Sequence, residues 1–233
     1  VPEDPVRELR ELVIHLEEWL RYQQRLGWRG FPREAAAPGL EPDRPEEVPT
    51  LEEIRQEMGD CQRCKLHRGR THLVFGEGSP HAALMFIGEA PGEEEDRQGR
   101  PFVGAAGQLL NRLLAKLGLR REEVYITNIV KSHPPGNRDP EADEIAACLP
   151  FLKKQIQAIR PRVIVTLGRV AAHALLDTRV PLTKLRGQFQ RYDHLPVMPT
   201  FHPSYLLRFP RERHKTWADM QQVMELLATD ETL

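Results

Sequence analysis

The chain has 233 residues, 40% of them hydrophobic, 29% charged and 6% aromatic, with 33 Lys+Arg against 34 Asp+Glu for a formal net charge of −1. These proportions suit a soluble protein with one sizeable core, and no stretch approaches the roughly 18 apolar residues that a transmembrane helix requires. Three cysteines, two of them spaced C-x-x-C at Cys61 and Cys64, exclude a disulfide framework and leave a metal or redox site open.

The near-zero charge is unevenly spread. Residues 1–60 hold 15 Asp+Glu and 8 Lys+Arg, a net of −7, whereas residues 61–233 hold 19 and 25, a net of +6. A mildly basic body suits a phosphate-bearing partner, and it equally suits a mixed solvated surface. The first apolar segment is broken by Glu8, Arg10 and Glu11 with no small-residue cleavage site after it, so the expected location is the cytoplasm.

Leu9, Val13, Leu16, Leu20 and Tyr22 fall near helical spacing and predict one amphipathic helix over 5–26, opened by Pro5 and closed by Gly27 and Gly30. Five prolines between 32 and 49 make the next segment a linker or surface strap, which divides the chain into 1–49 and 50–228. Thr50 with Glu53 forms a capping-box pattern for a short helix at 51–58, which delivers the chain to Cys61. From there strands and helices alternate. Strands are expected at 83–87, 124–130, 163–167 and 196–200. Helices are expected at 105–117, from a cap at Asp139 with Pro140 first to about Ile159, at 170–176 and at 216–227. The pattern predicts an α/β fold: a central, mostly parallel four-stranded sheet with helices on both faces and an N-terminal helical extension. Ligands in such folds gather beyond the carboxyl ends of the strands, where 88–103, 128–138 and 201–208 begin.

Residues 88–104, GEAPGEEEDRQGRPFVG, combine turn-forming Gly and Pro with Glu89, Glu95 and Asp96. Such carboxylates bind a metal, activate water or form a wet surface. Phe102 is an aromatic in a polar loop, suited to stacking on a flat ligand or to anchoring the loop. Asn128 at the end of VYITNIV offers an amide edge for a base or satisfies local backbone. His202, held extended by Pro203, can donate to an oxygen on which charge builds, or serve structurally. Cys61 and Cys64 enter a polar turn, which favours metal binding over redox chemistry. Cys148 is a third ligand or a buried small hydrophobe, and Ser132, His133, His67 and His72 are the available fourth ligands.

Taken together, GEAPG at 88–92, EEED at 93–96, GRPFVG at 99–104, YITNIVK at 125–131, PPGNR at 134–138 and HPS at 202–204 resemble the uracil-DNA glycosylase superfamily. The resemblance is nearest to its iron–sulfur branch, family 4, and covers about residues 50–228. Glu89 argues against family 5, whose first motif lacks that acid. The resemblance implies hydrolysis of the N-glycosidic bond of deoxyuridine in DNA, leaving an abasic site for base excision repair, by a monomer with ordinary turnover; the segment 182–191 lacks the Arg-rich insertion of a covalently linking subgroup. It implies that Phe102 stacks on uracil, that Asn128 reads its edge beside Gly88 and Ala90, and that His202 stabilises charge at O2. Glu89, or Glu95 as rival, positions the water. Ser204, Arg208, Lys131 and Arg138 would grip the DNA backbone, and Leu206 or Leu207 would wedge into the gap. It also implies a [4Fe–4S] cluster on Cys61, Cys64 and Cys148, with Ser132 standing where the family has a fourth Cys and His133 as a substitute ligand. Two readings of other classes remain open at this point: a catalytically silent damage-binding module of the same fold, and an α/β protein with a structural zinc.

Overall fold

The structure, a computed structural model, describes residues 13–19, 21–22, 25 and 48–229. The chain divides into two units, Val1–Glu47 and Val48–Leu233. In the first, every described residue is helical, within the span expected for the amphipathic helix; the rest of that helix and nearly all of the Pro-rich segment lie outside the described residues.

The second unit opens with α1 (Leu51–Met58), whose capping box forms as expected: Thr50 N donates to Glu53 Oε2 at 2.7 Å and Glu53 N donates to Thr50 Oγ1 at 3.2 Å. Strands β1 (Glu77–Gly78) and β2 (Leu84–Gly88) follow, then α2 (Glu93–Gln98), α3 (Ala105–Lys116), β3 (Tyr125–Asn128), α4 (Ala142–Ile159), β4 (Val163–Leu167) and α5 (Arg169–Leu176). The chain closes with α6 (Leu182–Leu185), β5 (Gln190–Tyr192), β6 (Leu195–Thr200), α7 (Pro203–Arg208) and α8 (Arg213–Thr229).

The sheet has six strands in the order β1-β3-β2-β4-β6-β5. The four expected strands form its parallel centre, with Met85 opposite Tyr125, Leu84 opposite Val163 and Ile164 opposite Val197. The two additional strands are short antiparallel edges. Alternation along the central strands feeds two cores. Met85, Ile87, Tyr125, Ile164 and Val197 pack with Leu152 and Ile156 of α4 and Leu175 of α5. Leu84, Phe86, Ile126, Val165 and Met198 pack with Leu110 and Leu114 of α3 and Met220 and Val223 of α8. Burying both faces of parallel strands explains why they are near-continuous apolar runs. A third cluster sets Ile54 and Met58 of α1 against Phe75 and Phe151.

Some expectations are corrected. The helix after β3 is not capped by Asp139 with Pro140 first. It starts at Ala142, with Glu141 N donating to Glu144, and Asp139 pairs instead with Arg169. Residues 93–98 are a helix rather than loop, stopped by Gly99 at φ +68. The HPS segment opens the short helix α7. β3 ends at Asn128, although Ile129 N and Val130 N still donate to Gly88 O and Glu89 O. Among the described residues, no helix is long and apolar enough to cross a membrane.

Candidate active site

Strand β2 carries the chain to β3 on one side and the sheet then resumes at β4 on the other, so strand order reverses at β2. Such a reversal opens a crevice at the carboxyl ends of the strands. All four parallel strands end there in chemistry-bearing residues: β2 in Gly88-Glu89, β3 in Asn128, β4 in Gly168, and β6 in the segment leading to His202. The cleft there has a volume of about 890 Å³. Its walls include Glu89, Ala90, Glu95, Phe102, Asn128 and His202, joined by Arg138, Ser204, Leu207 and Arg208.

Gly88, the last residue of β2, packs against Asn128 and Phe102. A Cβ there would stand 2.4 Å from Asn128 Oδ1 and 2.5 Å from Phe102 Cζ, so the amide and the ring both close on the space glycine leaves. Asn128 is buried, and its Oδ1 has no hydrogen-bond partner. An orphaned buried acceptor costs about 1–3 kcal/mol, which a ligand N–H would recover.

Phe102 sits at φ +51, a left-handed conformation uncommon outside glycine. Two devices hold it. Gly107 in α3 lets the loop pass, since a Cβ there would lie 1.8 Å from Phe102 O. Arg121 donates to Phe102 O at 3.1 Å and also to Pro101 O. Sequence reasoning missed Arg121 and Gly107, because neither belongs to the polar loop they support.

Glu95 is occupied. Its Oε1 accepts from Val103 N at 2.8 Å and Gly104 N at 2.9 Å, and its Oε2 from Gly92 N at 3.1 Å. It clamps the two ends of the Phe102 loop together. Glu89 has no such duty. Burial, with Asp139 beside it as the second cause, raises its pKa to about 7.

His202 caps α7. Its Nδ1 lies 3.1 Å from Ser204 N, which can only donate, and 2.7 Å from Ser204 Oγ. Nδ1 is therefore the acceptor and Nε2 carries the proton. Burial pulls the pKa down to about 4, so the ring is neutral at pH 7. It sits beside Phe102, with ring centroids 5.6 Å apart, and Gly168 makes room for it: a Cβ there would be 3.0 Å from His202 Cβ.

Two expected DNA contacts do not reach the cleft. Lys131 is fully buried, its Nζ donating to Thr127 Oγ1 at 2.5 Å, Asn128 O at 2.8 Å and Gln155 Oε1 at 2.7 Å; burial drops its pKa to about 7. It braces the backbone of Asn128 and cannot touch phosphate. Leu206 is buried on the inner side of α7, so of these two leucines Leu207 is the one on the cleft wall. Arg138 lines the cleft but is engaged by Glu144 at 2.9 and 2.7 Å.

The cysteines converge elsewhere. Cys61, Cys64, Cys148 and Ser132 border one small pocket with Arg63, Arg70 and Lys131. Every one of the four receives a donor. Leu66 N–H meets the Cys64 thiol, Lys131 N–H meets Cys148, Arg63 Nη1 lies 3.4 Å from Cys61 Sγ, and Arg70 Nη1 lies 3.2 Å from Ser132 Oγ. Donors aimed at sulfur suit thiolates that carry charge; against them, burial first and the neighbouring thiols second raise the pKa of both Cys64 and Cys148. His133 does not belong to this set: its Nδ1 lies 2.8 Å from Pro91 O, by the cleft. His67 and His72 are likewise turned to Cys64 O and Asp96 O. Among the described residues, no three His, Cys, Asp or Glu side chains close on a single metal ion. Three thiols and one hydroxyl around a single pocket are a donor set that would suit an iron–sulfur group or a zinc ion.

A mostly parallel sheet whose strand ends gather an aromatic ring, an amide acceptor, a neutral histidine and a carboxylate defines an α/β protein with a polar cleft at the point where strand order reverses. Residues 75–227 match the uracil DNA glycosylase superfamily. The chain is 46% identical over 189 residues to a type-4 uracil-DNA glycosylase of Sulfurisphaera tokodaii, covering 77% of this chain and 86% of that one. It is 50% identical over 160 residues to a type-4 enzyme of Thermotoga maritima, covering 68% and 83%. It is 35% identical over 167 residues to a type-5 uracil-DNA glycosylase of Thermus thermophilus, covering 64% and 74%. The chain belongs to the uracil-DNA glycosylase superfamily, among the type-4 enzymes.

Proposed function

We propose that the chain excises uracil from DNA by hydrolysing the C1′–N1 bond of deoxyuridine, and that residues 50–228 form the catalytic domain. The observation that carries this reading is the orphaned Asn128 Oδ1, buried beside Phe102 over Gly88. An acceptor fixed there pairs with the N3–H of uracil. Cytosine presents a bare N3 at the same place, so acceptor would face acceptor. A base entering the cleft must first leave the DNA stack.

As the glycosidic bond breaks, its electron pair moves onto uracil and the sugar becomes cationic. His202 Nε2–H donates to O2, where negative charge collects. Because the ring is neutral, it supplies a hydrogen bond rather than a proton. Glu89, ionised, orients the water and takes its proton as the oxygen bonds to C1′. Uracil then takes up a proton from solvent, and Glu89 releases the one it took. Glu95 has no part in this step, because its oxygens hold the loop. Ser204 and Arg208 support the DNA backbone, and Leu207 is the wedge.

The residues that would hold a [4Fe–4S] cluster are Cys61, Cys64 and Cys148, with the Ser132 oxygen as fourth ligand, since all four border one small pocket. Such a cluster would tie the turn after α1 to α4. An absorbance shoulder near 400 nm with matching iron and sulfide analysis is expected, and zinc alone would refute it. For the activity, a labelled oligonucleotide with a single uracil is incubated with protein and then treated with alkali. Cleavage at the uracil only after alkali is expected. Binding without base release would leave a silent damage-binding module.

A further inference from the structure

Asp139 is the neighbour of Glu89 that neither the motifs nor the mechanism above uses. It lies on the loop before α4, within hydrogen-bond reach of the Glu89 carboxyl, and on its other side it pairs with Arg169 at the start of α5. All three line the cleft. The remaining charged groups of the cleft face other partners or lie on another wall. Arg138 is held by Glu144, Glu95 by the loop N–H groups, and Glu93 and Glu94 by Arg97. Arg208 and His202 belong to the α7 side. The relay Arg169–Asp139–Glu89 therefore stands apart as one connected unit built from three different elements.

We propose that Asp139 and Arg169 are positioning residues for hydrolysis: Asp139 orients the Glu89 carboxyl toward the attacking water, and Arg169 holds Asp139 in place and offsets its charge. Two carboxyls in contact share protons unless a cation intervenes, so the pair alone would keep Glu89 protonated and unable to accept from water. Arg169 is the cation that offsets this. The two residues thus pull in opposite directions on when Glu89 becomes competent. Asp139 favours the protonated form of Glu89 and Arg169 the ionised form, in accord with the direction in which each acts on the Glu89 pKa.

The inference rests on Glu89 being the group that handles water, and the test separates the two. Single-turnover excision from a single-uracil duplex is measured between pH 5 and 9 for the full chain and for Asp139→Asn, Arg169→Gln and Glu89→Gln. The unaltered protein should lose activity as pH falls through about 7, where Glu89 takes up its proton. Asp139→Asn should move this acidic limb down by about 1 pH unit, and Arg169→Gln should move it up by a similar amount. Opposite shifts are a signature that general loosening of the fold does not produce. If Glu89→Gln loses excision but both other variants keep the unaltered limb, or shift it in the same direction, the relay is refuted and the role of Glu89 stands. If Glu89→Gln excises normally, both fail. Either of the two neighbouring variants alone suffices should the other not fold, since each has its own required direction.

Discussion

Gly88 sets how closely Asn128 and Phe102 can approach each other. The amide of Asn128 and the ring of Phe102 approach so closely over it that even a methyl group must displace one of them. Gly88→Ala is therefore expected to cost about 1–3 kcal/mol through overpacking. The loss should fall on the site more than on the fold, because Asn128 and Phe102 can give way toward the open cleft. Excision at subsaturating uracil-DNA should drop by about tenfold to a hundredfold, while Tm moves by only a few degrees. Asn128→Asp tests the partner of that glycine. An Asp replaces the donor for O4 by an acceptor that suits the 4-amine of cytosine, and in its protonated form it can donate to cytosine N3, so uracil excision should fall and cytosine should become a detectable substrate. Unchanged uracil excision and affinity would remove Asn128 from the pocket. At the same scale the two acids divide: Glu95 accepts three backbone N–H groups, and Glu89 accepts none of those. Nothing in the letters EAPGEEED distinguishes them, since the difference arises only when residues 92, 103 and 104 fold around one side chain.

At the scale of elements, the parallel centre was legible because strands buried on both faces must be apolar throughout, as in VIVTL at 163–167. The edges were not. β1 is two residues, and β5 is Gln-Arg-Tyr, half exposed and without an apolar run. α2, EEEDRQ, carries no apolar periodicity and is fixed by its contacts: Asp96 accepts from Thr71 N and Glu95 ties the loop beyond. Lys131 shows a different limit. A lysine after a strand end and beside a motif suggested phosphate, yet Thr127, Gln155 and the Asn128 carbonyl surround its ammonium. Gln155 reaches it from the second turn before the end of α4, a proximity the sequence does not display. Lys131→Met should therefore lower stability, because it strands the Gln155 and Asn128 oxygens in the core at about 1–3 kcal/mol. Thermal unfolding of the variant beside the unaltered protein would check this. The salt dependence of DNA binding should be the same as in the unaltered protein, as it would not be if Lys131 met phosphate.

Over the whole molecule, charge separates the two units. Residues 1–47 hold 11 Asp+Glu and 7 Lys+Arg, a net of −4, and residues 48–233 hold 23 and 26, a net of +3. The three core clusters, the cleft and the cysteine pocket are all built from residues of the second unit. A chain beginning at Val48 is thus expected to fold, to excise uracil, and to bind DNA more tightly than the full chain at low salt, with the difference fading as ionic strength rises. The cleft itself is sparing with cations. Of the arginines that line it, Arg138 and Arg169 are each paired with an acid, and Arg208 has no ion pair among the described residues. Each phosphate neutralised on duplex DNA contributes about −0.9 to the slope of log K against log salt. Arg208→Ala should therefore make the slope shallower by about 1 and weaken uracil-containing and ordinary duplexes alike. Leu207→Ala should leave the slope unchanged and weaken only the complex in which a base has left the stack, because an apolar wedge releases no counterions. Titrations at several salt concentrations, on duplexes with and without uracil, distinguish these outcomes. A uracil-selective loss for Arg208→Ala would move that arginine from the backbone to the base pocket.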